Sequence, residues 1–505
     1  MKNTKRRLEP LSFFNHTGIS RHLEKMAAKG WMIEKIVNTG WVYRRIEPKN
    51  IHFAVSYFPK ASEFDPEPSE EQKMFHDFCA HTGWQLACTS AQLQIFYNER
   101  EHPTPIETDP ELELQAIHSS AKKNFIPSYI VLFAIALLNG ALWISNLLGD
   151  PIDLLSNPTD LFTGFVWLLL GLLCIVELVS YFKWRSKAKV VAEHGEFLKV
   201  PDTSKFQKAV LVISIGGAVF WAINYMIYGD SLRRWITILM CIYMPALFVI
   251  VNATKEFLKR RKASRGVNRT VTMLTSFIVA FAMMGAITFG TLYASNHGFF
   301  ADKNEETYEY RGMTWVIHQD ELPLVVEDLM DVDFDGYIKE RRGNVSLLMG
   351  QLVMRQHPRY DAENRKDYPE LEYTMTIINV PSLYEMCKNQ TIDKKDETDN
   401  ADIPEGFKRV YLEQDPTPWK ANEVYQLAYQ DTGTLNSFLL CYDDRIIEIS
   451  FDWEPTAEQM ASLSAFQSQP GSISGAYLPC GTADSGGQLS APSALPHQCP
   501  SPSFP

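Results

Sequence analysis

Asp331-Val332-Asp333-Phe334-Asp335-Gly336 is the segment of this chain whose spacing most suggests chemistry. Carboxylates at alternate positions followed by glycine match the first half of an EF-hand calcium loop. The twelfth position, however, is Arg342, where calcium needs a bidentate glutamate. Asp331, Asp333 and Asp335 are therefore candidate metal ligands, with an acidic surface turn as the favoured reading and no metal expected. Glu177 is the second candidate, a carboxylate inside a long apolar run. An ionisable group in such a run is by default an ion- or proton-site hypothesis. It lies six residues before Lys183, about 9 Å of helix, so the favoured reading is that it reaches the interface. The eight cysteines form no CxxC and no zinc-spaced Cys–His cluster. Cys387 and Cys441 share a segment where a disulfide is permitted, and two unpaired buried thiols are expected. No nucleophile, metal set or carboxylate pair stands at a usable spacing, so a non-enzymatic chain without catalytic residues or cofactor is expected.

The elements that carry these residues follow from hydropathy. Five apolar runs occupy 125–148, 161–182, 209–228, 235–251 and 271–294, each near the roughly 20 residues that cross a bilayer as a helix. Lys and Arg cluster before the first run, between the second and third, and between the fourth and fifth; the 149–160 connection has none. Basic connections face the cytoplasm, which predicts a cytoplasmic N-terminus and an extracytoplasmic C-terminus. Arg233 and Arg234 dissent, in a short connection assigned outside. The basic run 255–269 is read as a topology determinant that could also grip anionic headgroups. The charged N-terminus and the late start of the first run lead to the expectation of no cleavable signal peptide.

The formal net charge of −12 is unevenly spread: residues 1–124 are neutral, 125–294 carry +7 and 295–466 carry −18. A neutral and a strongly acidic domain offer little to nucleic-acid phosphates, so no direct nucleic-acid binding is expected.

The reading is a multi-domain membrane protein. Residues 1–100 form a cytosolic two-layer α+β domain, built as a duplicated βαββ unit. Each half has a strand, a helix (about 19–29, then 70–82) followed by Gly-Trp (Gly30-Trp31, then Gly83-Trp84) and a hairpin. One antiparallel sheet backed by two helices is predicted, with Met74, Phe75, Phe78 and Cys79 turned inward. The uncovered sheet face would carry Tyr43, Arg45, Phe53, Tyr57 and Gln94 as protein-interface candidates. Residues 101–124 are a linker and juxtamembrane segment, 125–294 the block of five helices, and 300–466 an acidic extracytoplasmic α+β domain. In the last, Ile447, Ile449, Phe451 and Trp453 alternate onto one face, and Thr456 and Gln459 form a capping box. Residues 467–505, dominated by Ser, Pro and Gly, are expected to be disordered and out of frame with the fold.

Leu23-Glu24-Lys25-Met26-Ala27-Ala28-Lys29-Gly30-Trp31 resembles the signature of the domain-of-unknown-function 2812 family, with support from Arg45-Ile46-Glu47-Pro48, Tyr57-Phe58-Pro59 and Gly83-Trp84. The resemblance implies a bacterial, multi-pass protein of the cell membrane, typically encoded beside a PadR-type transcription regulator. It brings no catalytic residues. The favoured expectation is a sensor or accessory regulator: the outward domain reads an envelope condition, and the inner domain binds a protein partner such as that regulator. Homo-oligomerisation is compatible with this plan. The alternative is an accessory subunit of a membrane transport or export system.

Overall fold

The computed structural model describes residues 3–37, 40–228, 231–297, 299–300, 306–363, 365–400, 402–431 and 433–463. Asn38 and Thr39 of the first predicted turn, and the whole segment 467–505, lie outside the described residues.

The N-terminal domain runs β1 (Thr4–Arg7), α1 (His16–Ala27), β2 (Trp31–Val37), β3 (Gly40–Arg45), β4 (His52–Tyr57), α2 (Glu70–His81), β5 (Gln85–Ser90) and β6 (Leu93–Asn98). Asn15 caps α1 by accepting from Gly18 N at 2.9 Å, and Ser69 caps α2 by accepting from Gln72 N at 3.2 Å. Both helices stop at a glycine with positive φ, Gly30 at 77° and Gly83 at 93°, a conformation that costs other residues steric strain. The strands form two three-stranded antiparallel sheets, ordered β1-β3-β2 and β4-β6-β5, rather than the single sheet expected. In each, the strand after the glycine carries a bulge at the same distance from it, between Ile33 and Lys35 and between Leu86 and Cys88. Bulges sharpen the local twist of a strand.

The two sheets share one core. Ile19, Leu23 and Met26 of α1, Ile33 and Tyr43 of the first sheet, and Phe53, Tyr57 and Ile95 of the second all lie in it. The expected linker belongs to the same body. Helix α3 (Pro110–Lys123) puts Ile117 and Ala121 into that core, and Trp84 donates to Thr104 O at 2.8 Å.

Helices α4 (Phe125–Gly149), α6 (Pro158–Ala192), α7 (Ser204–Tyr228), α8 (Ser231–Arg260) and α9 (Arg265–Asn296) are long and apolar enough to cross a membrane. A short helix, α5 (Pro151–Ser156), joins α4 to α6. Most of these helices outrun their apolar stretches, because hydropathy marks where hydrocarbon ends while i→i−4 bonding continues through charged residues. α4 and α6 pack closely: a Cβ on Gly164 would fall 2.2 Å from Trp143 Nε1, which donates to Asp160 O at 2.9 Å.

The C-terminal domain starts with the hairpin of β7 (Thr307–Tyr310) and β8 (Met313–Val316). A seven-stranded antiparallel sheet follows, built from β9 (Tyr337–Val345), β10 (Met349–Pro358), β11 (Leu371–Ile378), β12 (Arg409–Gln414), β13 (Glu423–Tyr429), β14 (Gly433–Cys441) and β15 (Arg445–Phe451) in the order β12-β13-β14-β15-β11-β10-β9. One face packs Tyr373, Phe438, Leu440, Ile447, Ile449 and Phe451. The other packs Ile378, Leu439, Cys441 and Ile446 beneath α10 (Tyr384–Lys395), which contributes Cys387. Thr456 and Gln459 make the expected capping box at α11 (Ala457–Ser462).

Candidate functional site

Glu177 lies where three segments meet. Helix α6 carries it, the turn before α1 brings Ser12, and the start of α7 brings Thr203, just ahead of the helix, and Gln207 in its first turn. Ser12 Oγ donates to Glu177 Oε2 at 2.6 Å, Gln207 Nε2 donates to Ser12 Oγ at 2.7 Å, and Thr203 Oγ1 lies 2.8 Å from the same oxygen. A hydroxyl has one proton and two lone pairs. With its proton given to Glu177, Ser12 accepts from both Gln207 and Thr203, so its bonding capacity is filled. Glu177 is 0% exposed, and its Oε1 has no hydrogen-bond partner.

Aromatic packing closes around this joint. The fully buried Phe14 sits 5.5 Å from Phe125, 5.2 Å from Tyr181 and 5.7 Å from Trp184, centroid to centroid. Tyr181 OH meets His118 Nδ1 of α3 at 2.8 Å. Burial beside Trp184 pushes the His16 imidazole down to about 4, although its Nδ1 lies 3.3 Å from Phe14 O. The 3.4 Å approach of His16 Nε2 to Glu113 is therefore not an ion pair at neutral pH.

A second contact fastens the N-terminal domain to the turn between α8 and α9. Asp65 holds Arg265 through two bonds of 2.6 and 2.8 Å, Glu63 lies 3.2 Å from Lys255 Nζ, and Glu67 lies 2.7 Å from Lys262 Nζ. The Lys262 ammonium holds Glu67 below the ordinary carboxylate value. Three cations of the basic run 255–269 are thus engaged by an acidic loop of the same chain.

The interface candidates change. Tyr43, Phe53, Tyr57 and Gln94 are buried, because α1, α3 and the other half of the domain cover the faces they occupy. Tyr43 OH meets His22 Nε2 at 3.2 Å, Tyr57 OH donates to Phe13 O at 2.5 Å, and Gln94 Oε1 accepts from Gln72 at 3.0 Å. Only Arg45 of that set is exposed, lying 5.0 Å over the Trp31 ring. The α2 pattern is also corrected. Cys79 points inward and Phe75 is partly buried, while Met74 is 63% and Phe78 is 61% exposed. Hydropathy alone could not separate these, since the helix has apolar residues on two faces.

Asp331, Asp333 and Asp335 do not form a calcium loop. They are exposed at alternate positions of an extended stretch whose other residues, Val332 and Phe334, pack on the core. The stretch leads into β9, where Arg342 pairs with Glu340 at 3.0 Å. Among the described residues, no three His, Cys, Asp or Glu side chains are grouped to hold a metal. Cys387 and Cys441 are free and buried, and burial pushes their thiols up to about 11 and about 12. Sequence reasoning did not find Ser12, Phe14 or Gln207. Nothing local marks them: Ser12 meets Glu177 and Gln207, 165 and 195 residues away, and Phe14 meets Phe125, Tyr181 and Trp184.

No curated protein and no solved structure matches the chain. The matched family segment runs from the first turn of α1 through β2 to β6 and α3 to the first residues of α4, and leaves out β1. Residues 17–128 match the family described as "Protein of unknown function (DUF2812)".

Proposed function

We propose that this chain is a non-enzymatic, multi-pass membrane protein that couples a domain outside the cell membrane to a protein-binding domain in the cytoplasm. The observation that carries the reading is that both soluble domains are packed on the same helix pair. The N-terminal domain holds α4 and α6 at one end through Phe125, Tyr181 and Trp184. The C-terminal domain holds them at the other through α5, whose Ile152, Leu154 and Leu155 enter its core. A displacement of either domain therefore has a packed route to the other. Apart from Arg233 and Arg234, the basic connections lie at the N-terminal-domain end, which supports a cytoplasmic N-terminal domain. The matching bulges after Gly30 and Gly83 support an internal duplication of the βαββ unit.

The surface offered to a partner is α2, where Met74 and Phe78 are one helical turn apart and exposed. Resemblance to the family suggests a PadR-type transcription regulator as that partner. The test is calorimetry with the full-length chain in nanodiscs and the regulator encoded beside it. Saturable binding at micromolar concentration, lost in Phe78→Glu, is expected. No heat at tens of micromolar, about the weak end of useful recognition, would remove the regulator from the reading.

The unpartnered Oε1 of Glu177 favours a second reading, an accessory subunit of a transport or export system. Neighbouring genes for an ATP-binding cassette pair would favour it.

A further inference from the structure

The contact between the C-terminal domain and the helices runs into the apolar stretches themselves. Trp143 and Leu147 near the end of α4, and Leu161 near the start of α6, pack against the cluster that holds Ile152, Leu154 and Leu155. All three lie inside the apolar runs 125–148 and 161–182. The domain therefore sits at the level where those runs end, with no spacer.

At that level the β9–β10 hairpin turns through Ser346, Leu347 and Leu348. Ser346 Oγ donates to Leu155 O at 2.6 Å, and Asn379 Nδ2 donates to Leu347 O at 3.3 Å. Leu348 packs inward against the same cluster. The turn is thus pinned beside α5, yet Leu347 is 93% exposed, more than any other large apolar side chain among the described residues. Residues 343–354 hold no Asp, Glu, Lys or Arg, inside a domain segment that carries −18. A single exposed leucine on a soluble surface needs no explanation. A leucine fixed at the mouth of two membrane-crossing helices, in a stretch cleared of charge, has the composition of an interface contact.

We infer that Leu347 is a membrane anchor: its side chain enters the lipid interface and holds the β9–β10 edge of the sheet on the bilayer surface. The inference rests on the reading above that α4 and α6 cross a membrane. The partner is the bilayer itself, since the tip adjoins the point where the helices enter it.

The test uses the full chain with Cys241, Cys480 and Cys499 replaced by serine, reconstituted in phosphatidylcholine–phosphatidylglycerol vesicles. A polarity-sensitive fluorophore is placed on Leu347→Cys, on Asp399→Cys and on Leu137→Cys. Asp399 is exposed in the C-terminal domain, and Leu137 is 60% exposed in the middle of α4. The expected result is blue-shifted emission at 347 relative to 399, and loss of that emission when nitroxide-headgroup lipids are included. Emission at 347 as red and unquenched as at 399 overturns the anchor. Blue emission that lipid nitroxides leave intact assigns the tip to a protein contact and also overturns it. Quenching at 137 by deep nitroxides separates the two readings: present there and absent at 347, the anchor alone falls; absent at both, the membrane-crossing reading falls with it.

Discussion

The two ends of the α4–α6 pair are joined to their domains by different chemistry. At the N-terminal-domain end the joint is aromatic and contains a buried polar cluster, Ser12 with Glu177 and Gln207. At the other end the joint is an aliphatic plug, Ile152, Leu154 and Leu155, and its charged contacts lie at the rim, with Asp150 bonded to Gln390 at 3.0 Å and Lys394 at 2.9 Å. Buried polar atoms demand particular partners at particular distances, and leaving one unmade costs more than making it gains. An aliphatic plug demands only volume. The first joint is therefore specific and the second tolerant. The comparison turns on burial, since the rim pair around Lys394 is exposed and such pairs contribute about 0–1 kcal/mol.

The largest effects come from removing volume at each joint. Phe14→Ala deletes a ring that touches three other aromatic side chains, at a cost of about 3–5 kcal/mol. Leu154→Ala removes a 5% exposed side chain from the plug, at about 2–5 kcal/mol. Limited proteolysis of the reconstituted chain checks both. Phe14→Ala should open the segment before α1 while the C-terminal domain stays protected, and Leu154→Ala should do the reverse. Equal opening of both domains by either variant would mean that the two ends are not separate joints.

Acid sharpens the contrast, because His16 belongs to the first joint only. Its folded value of about 4 lies below the unfolded 6.5. Between those values the unfolded chain binds a proton that the folded chain refuses, so the His16 contribution is complete above pH 6.5 and is lost as pH falls toward 4, while Glu113, pushed up to about 7 by burial, opposes it over the same window. The loss is at most about 3 kcal/mol. Thermal melts followed by N-terminal-domain proteolysis should show the decline, and His16→Gln should flatten it. A decline of equal size in that variant would place the sensitive group elsewhere.

The parts legible in sequence are those governed by local rules. The five helices follow from runs of apolar residues, and Gly30 and Gly83 mark the helix ends because positive φ is a local demand. Strand β15 carries Ile447, Ile449 and Phe451 on one face, as their alternation predicts. Strand β9 was not anticipated, because Lys339, Glu340, Arg341 and Arg342 disguise it; charge is tolerated there because the strand is at the sheet edge. The open face assigned to Tyr43, Phe53 and Tyr57 failed for a different reason. Alternation tells which residues share a face, and cannot tell that α3 and the helix pair will cover it. The joint at Glu177 was half legible: the carboxylate stands out in an apolar run, and its partner Ser12 does not stand out at all.

The smallest expected effect decides what Glu177 is for. Glu177→Gln keeps side-chain length and keeps a carbonyl oxygen to accept from Ser12, so the bond of 2.6 Å survives in kind. The new NH2 group would occupy the place of Oε1, which has no partner. An unsatisfied buried donor costs about 1–3 kcal/mol, and this is offset because an amide is less costly to bury than a carboxyl group that can ionise. The net change should stay within about 1 kcal/mol. Abundance, melting and regulator binding of Glu177→Gln should then match the parent chain, and the residue is a hydrogen-bonded joint between the N-terminal domain and α6. If abundance and melting match while activity in cells is lost, an acceptor of the right shape is insufficient. The carboxyl group itself is then the functional group, and the transport reading takes precedence over the coupling one.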